Sequence, residues 1–134
     1  MMFTSLRMWC RLLVPVLFLQ TGTALAADGD PAAGARSYQQ RCGGCHTLDT
    51  DRVGPRHRGV VGRKAGGVPG FAYSPALRAA TIVWDGDNLD RWLADPQALI
   101  PGQQMNVVTR DAKIRADIVA YLSAQSAEPA AGAP

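Results

Sequence analysis

Arg41-Cys42-Gly43-Gly44-Cys45-His46 decides the reading of this chain. Two thiols separated by two residues, with a histidine directly after the second, form the attachment signature of c-type haem. Each thiol can add across a haem vinyl group to give a thioether. The adjacent imidazole is then carried beneath the iron, where one ring nitrogen can coordinate it. Other readings need more than these residues supply. A thioredoxin-like Cys-x-x-Cys requires a βαβ neighbourhood, and a structural zinc site requires four well-placed ligands, which consecutive Cys45 and His46 suit poorly. The expected cofactor is one haem c per chain, attached through Cys42 and Cys45, with His46 on the iron.

Upstream of the motif, residues 1–26 carry the three parts of a secretory signal: basic Arg7 and Arg11, an apolar run from Leu12 to Leu19, and a small-residue exit at Ala24-Leu25-Ala26. Cleavage after Ala26 and a periplasmic destination are expected. The alternative is a retained anchor, but Pro15 breaks the run and Gln20-Thr21-Gly22 follows it, short of the roughly 20 apolar residues that a stable span requires. Cys10 precedes the apolar run, the wrong side for a lipid-bearing cysteine, and leaves with the signal. Removing 26 residues from 134 leaves 108, and the three cysteines fall to two, both in the haem motif. No disulfide framework is then available, although the compartment would preserve one. A core of this size is marginal, so a large flat cofactor would have to supply its apolar centre.

Charge changes with the signal as well. The 14 basic residues lose Arg7 and Arg11, leaving 12 against 11 acidic ones, or +1 in place of +3. Such a near-neutral chain has no electrostatic footprint for nucleic acid. Only Lys64 and Lys113 are lysines.

The mature chain reads as one domain, residues 27–124, followed by an Ala/Pro/Gly-biased disordered tail at 125–134. Asp30 and Pro31 supply a cap and an opening proline for a first helix that presents Gly34, Ala35 and Tyr38 and delivers Cys42. Ser74-Pro75 repeats that signal for a short helix to about Ala80. Asp87 can cap another, ending near Asp95 because Pro96 restricts its predecessor. A last helix is expected from about Asp111 to Ala124, where Ile114, Ile118, Tyr121 and Leu122 recur at helical spacing. Thr81-Ile82-Val83-Trp84 is too short to anchor a sheet, and Thr47 to Ser74 reads as loop. The expected fold is all-α, three to five helices with long loops wrapped around one haem.

Once Met1, Met2 and Met8 leave with the signal, Met105 is the one methionine and the candidate second axial ligand. Pro101 and Gly102 can hold its thioether at a fixed point, and a gap-filling core methionine is the competing role. His57 is the other imidazole. Eleven residues after His46 and close behind Pro55, it reads as a loop histidine on the same side of the haem as His46, with iron ligation or titration near the haem as alternatives. A histidine–methionine pair raises the potential and leaves no open position, which is the chemistry of electron transfer.

Several separated motifs in order resemble class I cytochrome c, in its mitochondrial-type branch: Gly34 and Tyr38, Cys42 to His46, Gly54-Pro55, Gly62-Arg63-Lys64, Gly70 to Ser74, Trp84, Ile100-Pro101-Gly102 with Met105, and Ala120-Tyr121-Leu122. The resemblance implies that the first and last helices cross at Gly34, near Tyr38 and Tyr121, and that the Pro55 carbonyl accepts the second ring N–H of His46. It also implies that Arg63, Tyr73 and Trp84 hydrogen-bond the inner haem propionate, a buried carboxylate that needs such donors. Departures stand out against that family. Arg56-His57-Arg58 replaces Asn-Leu-His, Leu77 replaces an asparagine, Trp92 a tyrosine near the methionine sulfur, and Val107 an aromatic at the haem edge. Gln97, Ala98 and Gln104 stand where that branch places lysines, so docking to partners is expected to depend only modestly on salt.

The function implied is a periplasmic single-electron carrier, a monomer that shuttles between a quinol-oxidising complex or dehydrogenase and a terminal oxidase or reductase. The alternative is a haem enzyme or gas sensor, peroxidase-like, with an open or labile sixth position. That class needs a distal base and an open pocket, and no distal histidine presents itself.

Overall fold

The computed structural model describes residues 29–127, and within them five helices and no strand: α1 (Pro31–Arg41), α2 (Pro75–Ala79), α3 (Gly86–Ala94), α4 (Pro96–Leu99) and α5 (Ala112–Ala127). The expected signal at 1–26 and residues 128–134 of the expected tail lie outside the described residues. No described helix is long and apolar enough to cross a membrane.

Most helix starts are written in the sequence. The Asp30 carboxylate accepts the Ala32 N–H and Pro31 opens α1; Ser74 and Pro75 do the same for α2, with the Ser74 hydroxyl accepting from Leu77. Asp111 accepts the N–H groups of Lys113 and Ile114 at the head of α5. One cap differs from expectation. Asp85, not Asp87, caps α3 by accepting the Asn88 N–H at 2.7 Å, and Asp87 sits in the first turn, where its charge favours the helix N-terminus. Pro96 does end α3, but it also opens α4, because Asp95 accepts the N–H groups of Gln97 and Ala98. α5 continues three residues past the expected end at Ala124. Its last turn is held from outside: the Ser126 hydroxyl accepts the Val61 N–H at 3.1 Å, and Gln125 accepts from Arg58.

α1 and α5 cross at contact distance. A Cβ on Gly34 would stand 1.9 Å from the Asp117 carbonyl oxygen, so only glycine lets the two backbones approach this closely. Tyr38 and Tyr121 pack beside the crossing with ring centroids 5.3 Å apart. Asp117, buried between the helices, accepts the Asp30 N–H at 2.6 Å and also pairs with Lys113. The apolar stripe expected on α5 finds its partners in α1 and α3. Ile118 and Leu122 are its buried members, each stabilising the packed state by about 1.5–3 kcal/mol.

Between α1 and α2 the chain is loop, but a bonded one. Trp84 N–H donates to the Arg63 carbonyl, Gly62 N–H to the Trp84 carbonyl and Ala65 N–H to the Ile82 carbonyl, around a single antiparallel bridge from Lys64 to Val83. This short pairing sets Arg63 beside Trp84, although the two are far apart in sequence.

Candidate functional site

The cysteine motif grows directly out of α1. Cys42 N–H donates to the Tyr38 carbonyl, and Cys45 and His46 N–H both donate to the Cys42 carbonyl, so two tight turns continue the helix and set both thiols and the imidazole around one cleft. Neither thiol is in a disulfide. Burial pushes the Cys42 thiol up to about 11, against the lowering effect of Arg41, whereas Cys45 is exposed.

His46 is fixed at one edge. Its Nδ1 lies 2.8 Å from the Pro55 carbonyl oxygen, and since a carbonyl has no proton to give, Nδ1–H is the donor and Nε2 keeps its lone pair. That is the tautomer a metal-ligating histidine requires. Burial lowers the pKa of His46, while the bond to Pro55 opposes the shift. Gly54 makes room for the ring: a Cβ there would fall 2.1 Å from His46 Cε1.

The cleft, of about 280 Å³, is also bordered by Met105, Pro55, His57, Arg63, Tyr73, Trp84 and Trp92, so the residues that the sequence offers for holding haem and iron border one space. Leu77 and Val107, two of the departures, border it as well. Trp84 and Trp92 are buried and meet edge to face at 5.2 Å. The buried Tyr73 hydroxyl accepts the Val68 N–H at 3.2 Å and keeps its own proton for another acceptor. Arg63 donates through its two terminal nitrogens to the carbonyls of Arg56 and Arg58. Burial lowers its pKa, and neighbouring charges act in both directions, Tyr73 raising it and Arg56 lowering it.

His57 lies against His46, centroids 4.1 Å apart and planes within 21°. A ring stacked on His46 shares its wall of the cleft, which excludes the pair from gripping one metal from opposite sides. The Tyr38 hydroxyl is 3.2 Å from His57 Nδ1. Burial, with His46 and Arg63 adding to it, depresses the His57 pKa to about 3.

Gln103 was not singled out in the sequence. It is 4% exposed and grips Met105 at both backbone groups: its Oε1 accepts the Met105 N–H, and its Nε2 donates to the Met105 carbonyl at 2.7 Å. Gln97, expected only as a lysine replacement at the cleft edge, braces the same loop by donating to the Gln103 carbonyl and accepting from Gly102 N–H. Farther along, Thr109 N–H donates to the Leu93 carbonyl, and Arg115 binds the Thr109 and Arg110 carbonyls and Asp90. The loop that carries Met105 is thus tied to α3 and α5.

Two free thiols, an imidazole with a committed tautomer, a thioether on a braced loop and aromatic walls form a donor set that fits an iron porphyrin. Comparison with known proteins agrees. A family model described as cytochrome c matches residues 31–126. The chain is 40% identical over 103 residues to cytochrome c2 of Rhodomicrobium vannielii, covering 74% of this chain and 82% of that protein. It is 36% identical over 105 residues to cytochrome c type-1 of Ascaris suum, covering 76% and 94%. Among solved structures, cytochrome cH from Methylobacterium extorquens superposes with a TM-score of 0.68 at 43% identity, covering 72% of this chain and 99% of that one.

Proposed function

Because the chain belongs to the cytochrome c family, whose members transfer electrons rather than catalyse and hold haem c covalently, we propose that it is a periplasmic single-electron carrier with one haem per chain. Cys42 and Cys45 would hold the haem through thioethers, and His46 and Met105 would coordinate its iron. When bound, the haem would supply a one-electron couple, and with both ligands in place would offer a substrate no iron site.

The chain's own residues do the rest. Pro55 holds the His46 tautomer and raises the basicity of Nε2. Gln103, Gln97 and Arg115 fix the Met105 loop, so the thioether stays in place while charge changes. Trp84, Trp92 and Leu93 keep water from one wall, which lowers the reorganisation that accompanies electron transfer. Arg63, Tyr73 and Trp84 carry donors suited to an inner propionate. The observation that carries the reading is the bond from His46 Nδ1–H to the Pro55 carbonyl beside two free thiols.

Export is supported by the signal pattern at 1–26. A quinol-oxidising complex or dehydrogenase as donor and a terminal oxidase or reductase as acceptor match a mobile carrier in that compartment. The mitochondrial-type branch is supported by the Gly62-Arg63-Lys64 and Ile100-Pro101-Gly102 motifs. A redox titration of the purified holoprotein with spectra tests the proposal. A reversible one-electron couple with the far-red charge-transfer band of sulfur-ligated ferric haem is expected, and rapid carbon monoxide binding by the ferrous protein would overturn it. Met105→Ala should open the iron and lower the potential; an unchanged spectrum would remove Met105 from the ligand set.

A further inference from the structure

We propose that His57 is a positioning residue for His46, a flat partner that links the rotation of the ligand ring to α1 through Tyr38; the inference rests on the reading of His46 as an iron ligand. One hydrogen bond, to Pro55, holds His46 at a single edge atom, and about that line the ring could rock. The face of the ring meets His57 at 4.1 Å and 21°, a near-parallel contact that resists the rocking. His57 is itself held at both ends. Its backbone N–H donates to the Thr47 carbonyl, and the next N–H, of Arg58, donates to the Leu48 carbonyl, so the two histidines sit on segments paired in register. Its Nδ1 shares the hydrogen bond with Tyr38, whose buried ring is wedged against Tyr121 of α5.

An aliphatic side chain could fill the same space. It could not lie flat on His46 and also partner the hydroxyl of Tyr38, a residue only 4% exposed whose polar tip needs a partner. The imidazole does both. It also sets a polar ring, in place of a hydrocarbon, beside the ligand, where it favours the more highly charged ferric state over what a leucine would do.

The test measures midpoint potential and ferric haem-methyl NMR shifts of the holoprotein, because the methyl pattern follows the plane of the axial imidazole. His57→Leu should raise the potential and spread the methyl shifts into a different order. His57→Phe, which keeps a flat ring but loses the hydrogen bond, should stay closer to the parent pattern. Tyr38→Phe should move both readouts in the direction of His57→Leu but less, and should add nothing further in the His57→Leu background. Unchanged methyl shifts and potential in His57→Leu and Tyr38→Phe would overturn the proposal, as would a Tyr38→Phe effect of full size without His57. If His57→Leu takes up no haem, His57→Phe and Tyr38→Phe decide it, silence in both being fatal. Absence of a low-spin histidine-ligated spectrum in the parent protein would instead overturn the ligand reading of His46, and with it this inference.

Discussion

Gln103 closes a two-bond ring with the backbone of Met105: its side-chain oxygen takes the Met105 N–H and its side-chain nitrogen gives to the Met105 carbonyl at 2.7 Å. A loop segment that belongs to no helix is thereby bonded at both backbone groups of one residue. Replacing Gln103 by alanine takes that partner from both backbone groups of the half-buried Met105, a loss of about 0.5–1.5 kcal/mol per bond. Gln103→Ala is expected to weaken the far-red sulfur band at moderate temperature and to speed carbon monoxide binding by the ferrous protein. Stopped-flow mixing with carbon monoxide checks it; rates equal to the parent would show that the clamp does not govern the thioether.

Gly54 is the floor under His46, with 2.1 Å between a hypothetical Cβ and Cε1 of the ring. Gly54→Ala must push the imidazole away or break its bond to Pro55. The expected outcome is a holoprotein with a high-spin ferric component, seen by electron paramagnetic resonance. A fully low-spin spectrum would mean that the loop shifts without moving the ring.

Gly34→Ala should act on the clasp of the helices and not on the haem spectrum. Its Cβ meets the Asp117 carbonyl at 1.9 Å and Cβ of Tyr121 at 2.8 Å, both backbone-fixed obstacles. The cost belongs at the upper end of the roughly 1–3 kcal/mol that overpacking exacts, or beyond it. Guanidinium denaturation of the holoprotein measures it, with a markedly lower midpoint expected.

Asp117 ties that clasp to pH. Its pKa lies below 3.8 because Lys113 and the Asp30 N–H both favour the carboxylate. A depressed folded pKa means that the unfolded chain takes up the proton first on acidification. The contribution of Asp117 is therefore complete above about pH 4 and is lost as pH falls toward its folded pKa. Thermal melts of the parent and Asp117→Asn across this range should converge toward low pH, and a constant gap between them would contradict the assignment.

Helix starts and the cofactor motif were legible because both are local. Asp30-Pro31 and Ser74-Pro75 carry their own caps, and Cys42 to His46 needs no distant partner to be read. The crossing at Gly34 and the bond to Pro55 came from resemblance to a family, since no spacing announces which carbonyl a ring will find. Two roles lay beyond either route. Gln103 looks like a surface amide until the fold buries it, and His57 looks like a loop histidine until pairing of residues 47–48 with 57–58 sets it on His46. The choice of Asp85 over Asp87 is a case where two caps were chemically equal and the extended backbone at Asp85, directly before Gly86 opens the helix, decided between them. The three extra residues of α5 were hidden by an alanine-rich composition that suits a tail and a helix alike.

The bond from Asp30 to Asp117 joins positions 87 apart, the cap of the first helix and the middle of the last. All but Leu122 of the residues that border the cleft hang between those two positions like cloth from a drawstring. Lengthening a span held in this way adds only about 0.6 kcal/mol for each doubling of its length. Segments on the rim can therefore be traded, extended or rewritten to suit a new docking partner while the knot that gathers them is left alone.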